Sequence, residues 1–487
     1  MRKILSFAAL GLLLTLPALA QANSTRLAVL IVVDQMRPEY LDRSSLSDGG
    51  FKRLREGGAR FLEARHLHLP TKTAPGHAAI ITGRLPSVHG IVANAWYERS
   101  PAGVTDCVAD VSFGVGPEHM SGPSLPDALK AADPRARVFA VSMKDDAAVI
   151  LGGRRPELAL WFEQGKGEFV TSAYYRRPAW LDAFNARLAR SGLYVPGAVT
   201  KQAMAAPATD AALELLVEEL VSRERVGRGP STDLLLISYS GTDMVGHRYG
   251  TQAPEMDRQL SALDAVLGRL LRRLEAASRG SLVLALTADH GAIPTPEDSA
   301  GRTLGVRRKN TPDFCAELQA ALGKEWPEPR PWLLSCLIPH IYFDRGLAEA
   351  RGQSWSEFKR RAAAVLARVD GVGRALSDDD ALALPASDAL AAPLRRSLRP
   401  GRSGDALVIM AENVLLHDQA SGTNHGTPWD YDARVPLLFW GRGVKPGQLA
   451  GPAAVVDLAP TLGRLLGLEY PAGEGATLRV EVLAEPR

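Results

Sequence analysis

The sequence predicts an α/β fold in which a largely parallel sheet is sandwiched between helices. Three observations carry that expectation. Continuous apolar runs of strand length recur along the chain, the form taken by strands buried on both faces. Apolar stripes at helical spacing alternate with them. Four of the runs lead into Asp34, Lys144, Asp243 and Asp289, and open α/β sheets bind ligands outside the carboxyl ends of their strands.

The elements follow in order. Residues 26–33, RLAVLIVV, form the first strand and end at Asp34. Residues 70–97 read as loop, helix, loop: Thr73 stands where the helix begins and Pro75 fits its first turn. Ala78 to Ile81 carry that helix, Gly83 ends it and Pro86 prevents a restart. Strand-like runs at 137–141, 233–238 and 281–286 lead to Lys144, Asp243 and Asp289, and a last one covers 435–440. Leu213, Leu216, Val217 and Leu220 make one helical stripe, and Met256, Leu260, Leu263, Val266, Leu267, Leu270, Leu271 and Leu274 make a longer one. Asp457 caps a final helix closed by Gly467. Two stretches, near 151–205 and 293–403, break the rhythm and read as insertions over one face of the sheet. The second holds an amphipathic helix at 355–369 and a strand at 337–343.

Composition narrows the class. The chain has 487 residues, 46% hydrophobic and 23% charged, enough for an ample core. A net charge of +3 is too small to argue for nucleic acid or membrane binding. Residues 1–22 read as a signal peptide: Arg2 and Lys3, an apolar core broken by Pro17, then the small-residue pattern at Ala18 to Ala20. Cleavage near Ala20 or Ala22 would leave residues 23–487 as a single catalytic domain, periplasmic or secreted, with no stable membrane anchor. Export permits a disulfide, and of Cys107, Cys315 and Cys336 the last two are the more plausible pair.

The polar residues then supply chemistry. Asp243 and His247 stand at i, i+4 on one helical face. Asp289 and His290 follow a strand directly, and His425 lies in the Gly-containing loop GTNHGTPWD. Carboxylates and neutral imidazoles are ligands that zinc accepts. Singly, each pair reads as a surface pair or a turn, Thr73 as a helix cap and Asn94 as a turn residue. Together, three Asp and three His beside a Thr at a helix start are ligands enough for two metals.

In that combination the chain resembles the alkaline phosphatase superfamily, in its nucleotide pyrophosphatase/phosphodiesterase-like branch. It is most similar to monomeric bacterial alkaline phosphatases with a threonine nucleophile. The segments VVDQMRPEYL, TKTAPGHAAIITGRLPSVHGIVAN, VSMKDDAAVILGG, SGTDMVGH, TADHG and NHGTPWDYDARVPLLFWG carry the resemblance in order across nearly the whole mature chain. It implies two zinc ions per chain, one bound by Asp243, His247 and His425, the other by Asp34, Asp289 and His290, with Thr73 completing the shell. It also implies that Thr73 attacks phosphorus to form a phosphothreonine and that Asn94 and Lys144 contact the phosphoryl group. The backbone N–H of Ala74 is a further candidate donor. Two zinc ions about 4 Å apart can clamp the attacking and leaving oxygens, and a bound metal makes an alkoxide accessible. His77 and His89 are expected to be structural.

One departure stands out. Where monoesterases of this kind have Lys-x-Arg, the chain has Lys144-Asp145-Asp146. Losing a guanidinium removes a charge-assisted hydrogen bond of about 1.5–3 kcal/mol, and a carboxylate in its place repels a phosphate dianion. Arg154 and Arg155 are candidates to replace the charge. The expected function is a zinc phosphomonoesterase acting on small-molecule phosphate esters, as a monomer. A phosphodiesterase or nucleotide pyrophosphatase is the alternative, allowed by Asp146 and by the aromatics Trp96, Trp161 and Phe162. A catalytically dead binding protein is the remote third, opposed by the complete ligand set. GxSxG, Walker A, GxGxxG and the sulfatase Cys-x-Pro-x-Arg pattern are all absent from the sequence.

Overall fold

A computed structural model describes residues 25–43, 46, 49–194 and 199–470; the expected signal peptide lies outside the described residues. At its centre stands β1 (Leu27–Val33), seven consecutive buried residues. Around it lie β2 (Gly58–Arg65), β3 (Arg137–Ser142), β4 (Leu158–Glu163), β5 (Glu168–Val170), β6 (Asp233–Tyr239), β7 (Leu282–Thr287), β8 (Leu437–Gly441) and β9 (Gly447–Ala454). They form one sheet in the order β9-β2-β8-β7-β1-β6-β3-β4-β5. The run β7-β1-β6-β3-β4 is parallel throughout. β8 is antiparallel to both neighbours, and β5 is antiparallel to β4. The all-apolar runs seen in the sequence are therefore the parallel interior, buried on both faces.

Helices cover the sheet: α1 (Thr73–Thr82), α2 (Asp145–Gly152), α3 (Ala208–Arg223), α4 (Gly241–Tyr249), α5 (Pro254–Ser278) and α6 (Leu458–Leu465). α5 buries its leucine stripe, including Leu260, Leu263, Leu267, Leu271 and Leu274. Each buried leucine is worth about 1.5–3 kcal/mol of transfer free energy, which is what holds a long helix against the sheet. α1 is unlike the others, because all ten of its residues are buried. Gly76 makes that possible: a Cβ there would meet the Asp289 carbonyl oxygen at 2.3 Å, so only glycine lets the first turn of α1 press against the end of β7.

Three local expectations are corrected. Lys72, in extended conformation, is the N-cap of α1, and Thr73 is the first helical residue; no side chain caps this helix. Pro86 opens a short helical turn, Pro86–His89, rather than preventing one, since its fixed φ suits a first helical position. Asp457 does stand at the N-cap position of α6, at the end of a 3-10 turn, but its carboxylate accepts from the Ala454 N–H and makes no cap bond to α6.

The two irregular stretches behave differently. Residues 151–205 supply β4 and β5 at one edge of the main sheet, followed by a helix, Leu181–Arg190, whose Asn185 side chain bonds both backbone groups of Phe169. Within 293–403 the predicted strand is a hairpin, Leu333–Leu337 and His340–Phe343, and the predicted helix is Trp355–Leu366. The hairpin joins Ala406–Met410 and Val372–Ser377 in a separate four-stranded sheet. This cap has its own core around Phe314, Trp332, Phe343 and Phe358, and Cys315 is disulfide-bonded to Cys336 within it. Cys107 is free and buried. Among the described residues no helix is long and apolar enough to cross a membrane.

Candidate active site

β1, β6 and β7 end at one level. Leu27 lies beside Asp233 on one side and Leu282 on the other, so the residues just past each strand meet however far apart they are in sequence. Asp34 follows β1. Asp243 and His247 lie one turn apart on α4, just past β6. Asp289 and His290 follow β7, and His425 arrives on the loop that precedes β8. Asp243, His247 and His425 gather in one group, and Asp34, Asp289 and His290 in another, the ligand atoms of each lying within 4.8 Å of one another.

The imidazoles are oriented alike. His247 Nδ1 donates to the Thr423 carbonyl (2.9 Å), His290 Nδ1 to Gly291 (2.9 Å) and His425 Nδ1 to Thr71 (2.8 Å). Each bond orients its ring so that Nε2 faces its group. Burial works against a charge on His247, but Asp243, 3.1 Å from its Nε2, outweighs burial and raises its pKa. Burial holds His290 well below the usual imidazole range and pushes His425 down to about 3, so both rings are neutral. These two rings stack with centroids 3.4 Å apart, which makes the two groups neighbours.

Asp34 Oδ1, Asp289 Oδ2 and His290 Nε2 are buried without a hydrogen-bond partner. A buried polar atom left unpaired costs about 1–3 kcal/mol, and here three converge on one point. Burial pushes Asp34 up to about 6, with Asp243 adding to the rise and Lys144 opposing it. Burial and then Asp34 hold Asp289 well above the usual carboxylate range. At Asp243 burial acts the same way, but His247 and Lys144 outweigh it and hold the carboxyl low. Crowded carboxylates and neutral imidazoles, with no thiolate, are the donor set that a zinc-like divalent ion takes, and each group fits one such ion.

Lys144 enters from the N-cap of α2, and its Nζ lies 2.6 Å from Asp34 Oδ2 and 2.7 Å from Asp243 Oδ2, one carboxylate of each group. Burial works against its charge, yet Asp243 and Asp34 keep its pKa well above the usual lysine value. Asn94 Oδ1 accepts from the Ala74 N–H at 3.0 Å. In this structure the Ala74 N–H is thus used in fixing Asn94, whose amide Nδ2 is left as an available donor.

Gln35 has no counterpart in the sequence reading. Its backbone N–H donates to Asp289 Oδ1 (3.2 Å) and its Nε2 to Asp243 Oδ1 (2.7 Å), tying the two groups together. It holds a left-handed φ of 61°, and Gly246 leaves it room, since a Cβ there would stand 1.8 Å from Gln35 Oε1. No spacing rule marks such a residue. His77, expected to be structural, donates through Nδ1 to the Thr73 carbonyl (2.8 Å) and accepts from Ser238 Oγ (2.8 Å), bracing the first turn of α1. His417 donates to the His247 carbonyl at 3.0 Å.

Asp146 is nine-tenths buried in the first turn of α2, and burial, then Asp145, pushes it up to about 7. Arg154 does not replace the missing guanidinium: it is turned to the carbonyls of Met120 and Gly122, and neither it nor the exposed Arg155 lines the cavity beside Lys144.

Comparison with known proteins agrees with this geometry. Residues 28–430 match the family model of type I phosphodiesterase / nucleotide pyrophosphatase. The chain is 27% identical to alkaline phosphatase PafA of Elizabethkingia meningoseptica, over 92% of each chain. It is 29% identical to alkaline phosphatase PhoK of a Sphingomonas species, over 92% of this chain and 90% of that one. The crystal structure of wild-type PafA superposes with a TM-score of 0.88 at 25% identity, covering 95% of this chain and 99% of that one. Murine ectonucleotide pyrophosphatase / phosphodiesterase 5 shares the fold at a TM-score of 0.60 and 16% identity, covering 94% of this chain and all of that one. With two metal-ligand groups at its strand ends, the molecule has the equipment of a metal-dependent phosphoesterase. The chain belongs to the type I phosphodiesterase / nucleotide pyrophosphatase family, within the alkaline phosphatase superfamily.

Proposed function

We propose that the protein is an exported phosphomonoesterase that binds two zinc ions and acts through a phosphothreonine. The observation that carries this reading is the meeting of two ligand groups with the N-terminal turn of α1 at the ends of three parallel strands. Asp243, His247 and His425 would hold one ion, and Asp34, Asp289 and His290 the other, with Thr73 completing its shell. When bound, the metals supply Lewis acidity that lowers the pKa of a coordinated hydroxyl and offsets charge on the phosphoryl group.

The chain's own groups do the rest. Thr73 Oγ attacks phosphorus in line, the P–O bond to the alcohol breaks, and the alkoxide leaves as the alcohol. Water then attacks phosphothreonine, releasing phosphate and restoring the hydroxyl. Asn94, fixed by Ala74, offers its Nδ2–H to a non-bridging oxygen, and Lys144 offers a cation at the same place. His77 holds the carbonyl of Thr73 and so orients the turn that carries the nucleophile.

Likeness to alkaline phosphatases along nine-tenths of both chains supports the monoester reading. Asp146 favours the second reading, a phosphodiesterase, because a diester has one fewer negative oxygen to place beside a carboxylate. Rates on an aryl phosphate and on its bis-aryl diester, with zinc present, separate the two. A higher kcat/KM on the monoester is expected; a large preference for the diester would overturn the first reading.

A further inference from the structure

A cavity of about 570 Å³ opens from Lys144, Asp243 and His247 toward solvent. Asp145, Asp146, Glu163 and Asp418 line it, and Trp161, Phe162 and Arg248 complete much of the wall. The rim is therefore acidic around a floor that carries Lys144. Arg248 adds a second cation to the wall, its guanidinium held by the Gln202 carbonyl and lying over the Tyr249 ring, so four rim carboxylates face one rim cation.

Two further observations show that this is more than a run of surface acids. Elsewhere the chain, with 57 Lys and Arg against 54 Asp and Glu, pairs acids with arginines freely, as at Asp42, Asp233, Glu214 and Asp405. Among the described residues, Asp145, Asp146 and Glu163 have no ion pair, although Asp145 feels the repulsion of both Asp106 and Glu163. Asp146 is moreover 9% exposed, and its carboxylate accepts at Oδ1 from the Ala147 N–H of its own helix. The Asp146 carboxylate lines the cavity beside Lys144, next to the floor where the phosphoryl group would lie.

A cleft with a cationic floor and an anionic rim matches a ligand of the reverse polarity. We propose that this cavity receives the alcohol half of phosphate esters whose alcohol carries an ammonium group, making amino-alcohol phosphates the preferred substrate class. The proposal rests on the phosphatase reading of the floor. Anionic alcohol halves, such as phosphorylated hydroxy acids or nucleoside polyphosphates, meet the repulsion of Asp145, Asp146, Glu163 and Asp418. The aliphatic part of the alcohol lies against Trp161 and Phe162.

The test compares three alkyl monoesters of matched size: phosphocholine, its uncharged isostere with carbon in place of nitrogen, and a carboxylate-bearing analogue. A kcat/KM for phosphocholine about tenfold above the isostere, and higher again above the carboxylate, is expected at low ionic strength, with the ratio shrinking in salt. In Asp146→Asn and in Glu163→Gln, each close to isosteric, the ratio should fall severalfold. Equal kcat/KM for phosphocholine and the isostere, beside good turnover of an aryl phosphate, would overturn the inference and leave the phosphatase reading standing. If no monoester turned over, the phosphatase reading would fall, and a thermal-shift arm would still decide the cavity. Choline should raise Tm and the neutral alcohol should not, with the effect lost in the two variants; no difference between the alcohols overturns the cationic pocket.

Discussion

Thr73 differs from a capping threonine by its surroundings: it is buried at the first position of α1, with its carbonyl held by His77. Thr73→Ala should leave the fold intact by circular dichroism and lower kcat by about a thousandfold or more, as expected for loss of a nucleophile. Asp146→Arg restores a guanidinium where the resemblance expects one, and monoester kcat/KM should rise about 10- to 100-fold. No gain would mean that position 146 does not reach the phosphoryl group. Asp210 gives a prediction independent of the chemistry. It is buried, accepts from the Gly241 N–H (3.0 Å) and Gln259 Nε2 (2.5 Å), and is pushed up to about 7 by burial against those two bonds. A carboxyl raised in the folded state holds a proton that the unfolded chain releases near pH 4, so stability falls as pH rises from about 4 to about 7. Asp210→Asn should therefore gain stability relative to the parent across that window, by up to a few kcal/mol in urea titrations. A pH-independent difference would show that Asp210 does not titrate there.

Among the elements, α1 is the one whose placement the site depends on most, and Gly76 sets how close it comes to β7. Gly76→Ala forces the first turn off the Asp289 backbone. Activity should fall by about 10- to 100-fold through displacement of Thr73, with a smaller loss in Tm. The cap has its own core and the Cys315–Cys336 link across 21 residues. Replacing both cysteines by serine opens that loop and should cost about 3 kcal/mol. Proteolysis should then increase first in the cap, with the main sheet still protected.

For the molecule as a whole, folding brings Asp34, Asp243 and Asp289 together at the price of mutual repulsion, and bound cations relieve it. At a metal concentration about 100 times Kd the linkage contributes about 2.7 kcal/mol. Chelation should lower Tm as well as activity, and elemental assay of the purified protein should find two zinc ions per chain. A Tm unchanged by chelation would count against both ligand groups.

The parallel interior was legible because a strand buried on both faces must be apolar throughout, and β1, β6 and β7 read that way. Their polar end residues were legible for the same reason, since a polar side chain directly after such a run has to lie at the sheet's edge. Antiparallel β8 was seen as a strand but not in its direction, because an apolar run carries no polarity of its own. Gln35 was invisible: its role needs a left-handed backbone, the space left by Gly246 and two carboxylates more than 200 residues away. The helix cap at Lys72 and the use of the Ala74 donor by Asn94 were equally closed to sequence, since both are decided by how α1 enters the core. Sequence alone thus determined the parallel interior and the polar residues at its strand ends, because burial and strand-end position follow from local chemistry, while the grouping of six of them as ligands came from the family resemblance. Only the tertiary structure decided which atoms face each other, that Arg154 turns away and that the rim beside Lys144 is acidic, because those depend on distances between segments that no local pattern encodes.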